Sequence, residues 1–317
     1  MKQKRGGQEM QADTATTTAS AVLTEKAYAK INLGLKVLAK RADGFHEICS
    51  IFQNVSLADT LQFRPAPIFG MSCSDASLST GSDNLVTRAA ALFAEAVAGR
   101  DAMASTYHIH LEKRIPVGAG LGGGSADAAA VLRGLNHLAG EPFDHVYLQG
   151  MGAELGSDIP FALVGGTSLV RGRGEILEPL QWARPPCYYA LVYPGLEVST
   201  AWAYGQVPPQ APETQALGRL TEASSYLRFI DSLRGGRVDG KRLQMVLEND
   251  LQPLVERVNP IVAVVGSQLM AAGAVASSMS GSGSAVYGIF DDRTAAESAA
   301  EKLRVAGFRS FCCTPVK

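Results

Sequence analysis

The chain has 317 residues, of which 46% are hydrophobic, and its 29 lysine and arginine residues nearly balance 30 aspartate and glutamate residues. The net charge of −1 argues against a general binding surface for nucleic acid or an anionic membrane. No apolar run reaches the ~18 residues that a membrane span requires. Glycine is in surplus, because the 33 glycines exceed the average frequency of about 7%. We therefore expect a globular protein without nucleic-acid or membrane partners, in which the glycine positions carry functional information.

The cysteines and histidines show no recognisable pattern of metal ligands. The five cysteines lack a CxxC spacing, and the five histidines lack an HExxH pattern. An odd, scattered set of thiols is typical of a reducing compartment, so we expect a cytoplasmic protein. The ligands of any metal ion are left unassigned.

Residues 1–22 are polar, rich in threonine and alanine, and without periodicity, which predicts a disordered tail. They lack the apolar core of a secretory signal. An organelle transit peptide is the alternative, although Glu9, Asp13 and the shortage of arginine argue against it.

Strand-like and helix-like segments alternate after the tail, which predicts an α/β or α+β architecture. Periodicity predicts strands at 27–38, within 48–63 and at 106–112, and helices at 84–98 and 125–139. Gly140 is well placed to end the second helix.

Proline becomes frequent between residues 184 and 217, which indicates a change in organisation. We therefore predict an N-terminal domain over 23–178 and a C-terminal domain over 179–317. Within the second domain, the pattern predicts strands at 188–194 and 284–290, and helices at 241–258, 261–272 and 294–306.

The strongest local signal is the string IPVGAGLGGGSADAAA, which spans Ile115–Ala130 between a predicted strand and a predicted helix. Its glycines allow the backbone to approach a ligand closely, because no Cβ intervenes. The helix that follows directs free N–H groups and its positive dipole end at the loop, which favours phosphate. Ser125 stands where a hydroxyl either caps the helix or contacts a phosphate or its metal ion. A tight turn without a ligand is the alternative.

Two common phosphate-binding loops fit this string poorly. A P-loop requires GxxxxGK[ST], and this pattern does not occur in the chain. Gly118, Gly120 and Gly123 do form GxGxxG, which a dinucleotide-binding fold would place directly after an apolar strand. The preceding residues, LEKRIPV, are charged and include Pro116, so the dinucleotide interpretation is weak.

The segment from Pro116 to Ala129 resembles the phosphate loop of the GHMP kinases, the group of galactokinase, homoserine kinase and mevalonate kinase. Ala27–Lys36 and Ser278–Phe290 are similar to two further motifs of this family. Ala126 departs from the pattern, because the family often has a second serine there. The resemblance implies ATP binding by Pro116, Gly118, Gly120, Leu121, Gly122, Gly123, Gly124, Ser125, Ala126 and Asn84. For Asn84, capping of the helix at 84–98 is an equal alternative.

Within this family, Lys40–Gln53, the glycine loop and Gly156–Phe161 resemble the members that act on a cytidine diphosphate ester. The resemblance implies a two-domain α+β fold with the active-site cleft between the domains. It also implies ATP- and Mg²⁺-dependent phosphorylation of the 2-hydroxyl of 4-diphosphocytidyl-2-C-methyl-D-erythritol, by a monomer or weak homodimer. The alternatives are a homoserine or mevalonate type of kinase, or a non-catalytic nucleotide-binding protein of the same fold.

The resemblance assigns catalytic roles to Asp158 and Lys30. Asp158 would accept the proton of the attacking hydroxyl, and Lys30 would pair with Asp158 and stabilise the developing negative charge. Opposite charges that lie close together do favour the ionised carboxylate. Asn32 lies two residues after Lys30, hence on the same strand face, and would bind the polyol. The alternatives are a helix-capping aspartate and a solvated lysine.

The remaining substrate-binding candidates come from three short segments. Asp43-Gly44 predicts a turn with Phe45 and His46 at its tip. The resemblance implies that Phe45 stacks on the cytosine and that His46 hydrogen-bonds the base. The alternatives are a core phenylalanine and a surface histidine. The resemblance adds Tyr204 as the opposite aromatic wall and Thr200 as a polar contact. Gly281 and Ser282 would lie at the substrate diphosphate, with a plain β-turn as the alternative.

Overall fold

The computed structural model describes residues 22–98, 106–180, 187–208 and 246–316. The predicted disordered tail lies outside the described residues except for Val22. The start of the helix predicted at 241–258 and much of the proline-rich segment also lie outside them.

The first sheet has six strands, which are mostly antiparallel. They are β1 (Leu23–Lys40), β2 (His46–Pro65), β3 (Gly70–Cys73), β4 (Tyr107–Glu112), β5 (Thr167–Gly172) and β6 (Ile176–Pro179). The order is β3-β4-β2-β5-β6, and β1 pairs with β2. Only the β3–β4 pair is parallel among these described strands. The strands predicted at 27–38, within 48–63 and at 106–112 are confirmed.

Four helices accompany this sheet. They are α1 (Leu85–Val97), α2 (Gly123–Leu138), α3 (His145–Leu155) and α4 (Ile159–Val164). Side chains of α1, α2 and α3 form one core with the sheet residues Leu61, Phe63 and Ile109. The helices predicted at 84–98 and 125–139 are confirmed, and Gly140 follows α2 with a φ of +80°.

The second sheet is antiparallel, with the order β10-β7-β9-β8. Its strands are β7 (Tyr188–Tyr193), β8 (Ala276–Met279), β9 (Val286–Phe290) and β10 (Arg309–Cys313). The helices of this half that lie in the described residues are α5 (Thr200–Gly205), α6 (Gln252–Val258), α7 (Ile261–Ala271) and α8 (Arg293–Val305). The strands predicted at 188–194 and 284–290 and the helices predicted at 261–272 and 294–306 are confirmed.

The helix predicted over 241–258 is wrong in its centre, because α6 begins only at Gln252. Asn249 instead forms a bridge with Leu35 of β1. Its amide donates hydrogen bonds to the carbonyls of Met279 and Gly281, each over 2.8 Å, and its Oδ1 accepts one from Leu251 N. These long-range contacts outweigh the helical periodicity of the segment.

The two sheets share a hydrophobic core. Ile31 and Leu33 of β1 belong to the same buried cluster as Leu191 of β7 and Tyr287 of β9. β1 is therefore buried on both sides, which places its polar residues between the two halves of the chain. The domain boundary at residue 178 stays a prediction. Among the described residues, none of the helices is long and apolar enough to cross a membrane.

Candidate active site

A cavity of about 1150 Å³ is lined by residues of both halves of the chain. All but one of the site residues predicted from the sequence line it. They are Lys30, Asn32, Phe45, His46, Asn84, Pro116, Gly118, Gly120, Leu121, Gly122, Gly123, Gly124, Ser125, Asp158, Thr200, Tyr204, Gly281 and Ser282. The cavity thus collects residues that are far apart in the sequence.

Ala126 is the exception. It is buried in the core at 2% exposure, and its N–H donates to the carbonyl of Gly122 over 2.9 Å. Because that N–H belongs to the first closed turn of α2, it is not free for a phosphate. That Ala126 binds ATP stays a prediction, which the position of this residue does not support.

The backbone of the glycine loop adopts a conformation that residues with a side chain rarely reach. Gly118, Gly120 and Gly122 have φ values of +62°, +75° and +67°, a region that residues with a Cβ rarely adopt. Gly120 also lacks space, because a Cβ there would lie 2.1 Å from the carbonyl oxygen of Ser280. The loop and the turn around Ser280 are therefore packed backbone against backbone.

Three hydrogen bonds hold this loop to other parts of the chain. Lys30 N donates to Leu121 O over 3.0 Å, Ala285 N to Ala119 O over 3.0 Å, and Val198 N to Gly118 O over 3.2 Å. One donor belongs to β1 and the other two belong to the second half of the chain. The loop is thereby fixed at the junction of both halves.

Helix α2 begins at this loop without a side-chain cap. Gly122 occupies the N-cap position and, as a glycine, has no side chain that could accept a capping hydrogen bond. Gly123, Gly124 and Ser125 line the cavity, so the uncapped first turn of α2 faces it. Free N–H groups and the helix dipole at such a terminus favour an anion. Ser125 therefore does not cap the helix, whereas the Asn84 side chain caps α1 by accepting from Val86 N over 2.8 Å.

Lys30 and Asp158 form an ion pair inside the cavity, with 3.4 Å between Nζ and Oδ2. The Lys30 ammonium also donates to Asn32 Oδ1 over 2.7 Å and lies 4.4 Å from the centre of the Phe52 ring. Asp158 precedes α4 but its carboxylate makes no capping hydrogen bond. Both alternatives, a solvated lysine and a helix-capping aspartate, are therefore excluded by the geometry.

Asn32 is held in place by its neighbours. Its amide donates to Ser50 Oγ over 3.1 Å, and Ser50 in turn donates to Gly34 O over 2.6 Å. Asn32 N donates to Ser280 Oγ over 3.3 Å, which ties β1 to the second glycine-rich turn. The strand face that carries Lys30 and Asn32 is thus fixed from both halves of the chain.

The second glycine-rich turn closes one side of the cavity. Gly281 has a φ of +58°, and a Cβ there would lie 3.2 Å from Asn32 Oδ1. The hydroxyls of Ser282 and Thr200 share a hydrogen bond of 3.0 Å. Gly281, Ser282 and Thr200 therefore face the same space as Lys30.

Aromatic side chains line the cavity at Phe45, His46 and Tyr204. The turn before Phe45 is fixed by the backbone N–H of Phe45, which donates to Asp43 Oδ1 over 3.1 Å. Phe45 is 49% exposed, so it is not a core residue. His46 rather than Phe45 stacks on Tyr204, with ring centres 5.4 Å apart. Burial and the nearby Lys40 charge lower the pKa of His46, which favours the neutral imidazole.

Sequence reasoning missed a buried charge cluster beneath the glycine loop. Lys113 Nζ donates to Asp59 Oδ2 over 2.5 Å and to Asp127 Oδ2 over 2.8 Å. Burial raises the pKa of Asp127 to about 7, against the lowering effect of Lys113. Its Oδ1 has no hydrogen-bond partner among the described residues. The one available signal was an aspartate within the apolar stripe of a predicted helix.

Two protein-family models match this chain. "GHMP kinases N terminal domain" matches residues 84–166, and "GHMP kinases C terminal" matches residues 230–308. The first match contains the glycine loop and Asp158, and the second contains the glycine-rich turn at Gly281. The chain therefore belongs to the GHMP kinases, a class of ATP-dependent phosphotransferases.

Curated relatives narrow this class further. The chain is 41% identical to the 4-diphosphocytidyl-2-C-methyl-D-erythritol kinase of Prochlorococcus marinus strain MIT 9313, over 92% of this chain and 93% of the relative. It is 42% identical to the enzyme of the same name from Pelotomaculum thermopropionicum, over 89% and 94% of the two chains. Within the GHMP kinases, the chain thus falls in the 4-diphosphocytidyl-2-C-methyl-D-erythritol kinase family.

Solved structures agree with this placement. A crystal structure of 4-(cytidine 5'-diphospho)-2C-methyl-D-erythritol kinase superposes with a TM-score of 0.72 and 35% identity, over 93% of this chain and all of the other. A homoserine kinase from Cytophaga hutchinsonii has a TM-score of 0.70 but only 19% identity, over 98% and 97% of the two chains. That second likeness concerns the fold alone.

Proposed function

We propose that this chain transfers the γ-phosphoryl group of ATP to the 2-hydroxyl of 4-diphosphocytidyl-2-C-methyl-D-erythritol. The observation that carries the proposal is the Lys30–Asp158 ion pair, which shares one cavity with an uncapped helix N-terminus and an aromatic cluster. The helix terminus suits the phosphates of ATP, and the aromatic cluster suits a nucleobase.

The residues divide the reaction between positioning and charge neutralisation, as phosphoryl transfer requires. Backbone N–H groups at the start of α2 hold the ATP phosphates. The Asp158 carboxylate accepts the proton of the 2-hydroxyl as its oxygen attacks the γ-phosphorus in line, and ADP leaves with the bridging oxygen. The Lys30 ammonium stabilises the negative charge that develops during the attack.

The substrate lies along the rest of the cavity. Asn32 binds the polyol, beside the Lys30 ammonium to which its Oδ1 is already hydrogen-bonded. The Phe45 ring stacks on the cytosine, and neutral His46 offers both a donor and an acceptor to its edge. The ring of His46 rests on Tyr204, so Tyr204 supports the base pocket. Thr200, Gly281 and Ser282 complete the wall between the base and the polyol.

Mg²⁺ is proposed as a companion of ATP. Among the described residues, His, Cys, Asp and Glu side chains form no group of three that could hold a metal ion. Magnesium often keeps several waters and is held by phosphates together with one or two side chains, so a full protein cage is not required. The Ser125 hydroxyl, which lines the cavity at the start of α2, is the protein ligand that we propose, and the ion would neutralise phosphate charge.

The location and assembly of the enzyme remain proposals too. A reducing cytoplasm suits the five cysteines, none of which forms a disulfide. We propose a monomer or weak homodimer.

Product analysis tests the proposed reaction. The purified protein is incubated with ATP, MgCl₂ and the cytidyl substrate, and the product is examined by ³¹P and ¹³C NMR. We expect one new phosphomonoester signal, with phosphorus coupling at the carbon that bears the 2-hydroxyl. A phosphate on a different hydroxyl would contradict the proposed orientation of the substrate.

A further inference from the structure

Arg173 is a cavity residue to which the sequence assigned no role. It follows β5, is half-buried, and lines the same cavity as Lys30 and Asp158. Its guanidinium carbon lies 5.0 Å from the centre of the Phe45 ring. Arg173 therefore stands directly beside the proposed cytosine pocket.

The turn that carries Arg173 also reaches the catalytic end of the cavity. A Cβ placed on Gly174, the next residue, would lie 3.6 Å from Asp158 Oδ1 and 3.3 Å from Ser157 Cβ. Arg173 therefore lies between Phe45 on one side and the turn before Asp158 on the other. In a cytidine diphosphate ester, the diphosphate is the group that joins the base and its ribose to the polyol.

The carboxylates around Arg173 are already engaged by other groups. Asp43 binds the Nε of Arg41 over 3.0 Å, and Glu47 binds another nitrogen of Arg41 over 2.9 Å. Glu175 accepts the backbone N–H of Arg173 itself over 2.7 Å. Within the described ranges, no carboxylate pairs with the Arg173 side chain at 4.0 Å or less. The Arg173 charge helps to lower the pKa of nearby Asp43 without a direct ion pair, so the planar donors of Arg173, which match phosphate geometry, are available for a ligand.

We propose that Arg173 binds the diphosphate of the cytidyl substrate through its guanidinium and thereby selects a nucleoside diphosphate ester over an uncharged nucleoside. The inference rests on the proposed function, since it presumes a cytidine at Phe45. Hydrogen bonds between ionised partners are about twice as strong as neutral ones, which suits a contact that discriminates between ligands. The contact with Phe45 keeps the guanidinium at the mouth of the base pocket.

A ligand series tests the contact. Binding of cytidine, CMP and CDP is measured by calorimetry, with the ATP site saturated by a non-hydrolysable ATP analogue. Wild-type protein should bind CDP more tightly than cytidine. Arg173→Met should weaken the affinity for CDP about tenfold to a hundredfold, since a hydrogen bond to a charged group has that magnitude. The affinity for cytidine should stay within about twofold of the wild-type value. Arg173→Lys should restore part of the CDP affinity, because it keeps the charge but not the planar donors.

Arg171→Met provides the matched control. Arg171 lies two residues earlier, is exposed, and pairs with Glu178 over 3.2 Å outside the cavity. This variant should bind all three ligands like the wild type, and both variants should keep the wild-type KM for ATP.

The outcomes separate this inference from the proposed function. If Arg173→Met weakens cytidine as much as CDP, the guanidinium acts only by supporting Phe45, and the diphosphate contact is wrong. If Arg173→Met leaves CDP affinity unchanged, the contact is equally wrong while the proposed function stands. If the wild type binds neither cytidine nor CDP, the proposed function itself fails.

Discussion

The Lys30 ammonium lies 3.4 Å from the Asp158 carboxylate, although the two residues belong to different elements of the fold. Lys30 is fixed within β1, where its backbone N–H binds Leu121 of the glycine loop. Asp158 is 30% exposed through its side chain, so the carboxylate faces the cavity while the lysine lies beneath it. A hydroxyl that approaches Asp158 would therefore meet the carboxylate first and have the positive charge of Lys30 behind it.

Replacing Asp158 with Asn should abolish most of the turnover. The amide keeps the shape of the side chain but cannot accept the proton of the attacking hydroxyl. A positioned general base contributes about 10²–10⁴-fold, so we expect kcat to fall by at least about a hundredfold. Steady-state ADP release checks this, and near-normal turnover would show that Asp158 is not the base.

Asp144→Asn is the matched control for that variant. Asp144 precedes α3 and accepts the N–H of Tyr147 over 2.8 Å, a capping role that Asn performs equally well. Because Asp144 does not line the cavity, the kcat of the Asp144→Asn variant should equal that of the wild type.

Replacing Lys30 with Met should lower kcat by about 10²–10³-fold, as is typical when one group that stabilises developing charge is removed. Lys26→Met is the control, because Lys26 lies four residues earlier on the same strand and donates only to Thr60 Oγ1, at an exposed position. Rapid-quench measurement of the first turnover distinguishes chemistry from product release. Equal rates for the two variants would refute a role for Lys30 in the reaction.

Replacing Gly120 with Ala should destabilise the protein more than the same change at Gly140. Both glycines have positive φ values, +75° and +80°, so both substitutions incur about 1–2 kcal/mol of backbone strain. Only Gly120 adds a collision, with the Ser280 carbonyl at 2.1 Å, whereas nothing lies within 4 Å at Gly140. Overpacking of this kind costs a further ~1–3 kcal/mol.

Urea unfolding of the two glycine variants measures the difference. We expect the free energy of unfolding of Gly120→Ala to fall below that of Gly140→Ala, together with weaker ATP binding. Equal stabilities would mean that the glycine loop and the turn at Ser280 are not in contact in solution.

The effect of Asp127→Asn on the free energy of unfolding, relative to wild type, should become more favourable as the pH rises. The pKa of Asp127 is about 7 in the folded protein, against an ordinary value of 3.8. Between these two pH values, the folded state therefore holds a proton that the unfolded state has released. The stability from this proton is fully present below pH 3.8 and is lost as the pH rises through about 7. Asn cannot ionise, so the variant is spared this loss.

Unfolding free energies at pH 5 and pH 8 test this linkage. The difference between Asp127→Asn and wild type should shift in favour of the variant at pH 8. Asp75→Asn is the control, because hydrogen bonds from Ser77 lower the pKa of that exposed carboxyl. Its stabilising effect is lost only as the pH falls, so its difference from wild type should stay constant between pH 5 and pH 8. A constant difference for Asp127 as well would place its folded pKa outside this range.

Local sequence patterns were sufficient for about half of the described elements and for the strand face of Lys30 and Asn32. A period of two places those side chains together, and the structure joins them by a hydrogen bond of 2.7 Å. The pairing of Lys30 with Asp158 came from the family resemblance, because no local pattern spans the intervening residues. The helix predicted through Asn249 failed for a similar reason, since its partners Leu35 and Met279 are distant in the sequence.

Other parts of the site could not be predicted from the sequence, because they depend on contacts that form only on folding. Asp127 was placed in a helix, but its pairing with Lys113 exists only once α2 packs against the first sheet. Arg173 gives no periodic signal, and its relevance follows from its position over Phe45. The structure gives the Ala126 prediction no support, because the N–H of that residue is already hydrogen-bonded within α2.

The central claim is the choice of acceptor, and ADP release from ATP with three separate acceptors tests it most directly. The assay compares the cytidyl substrate with mevalonate and homoserine at equal concentration, with the same enzyme and MgCl₂. We predict ADP release with the cytidyl substrate and only background with the other two. Release with mevalonate or homoserine, without turnover of the cytidyl substrate, would contradict the account.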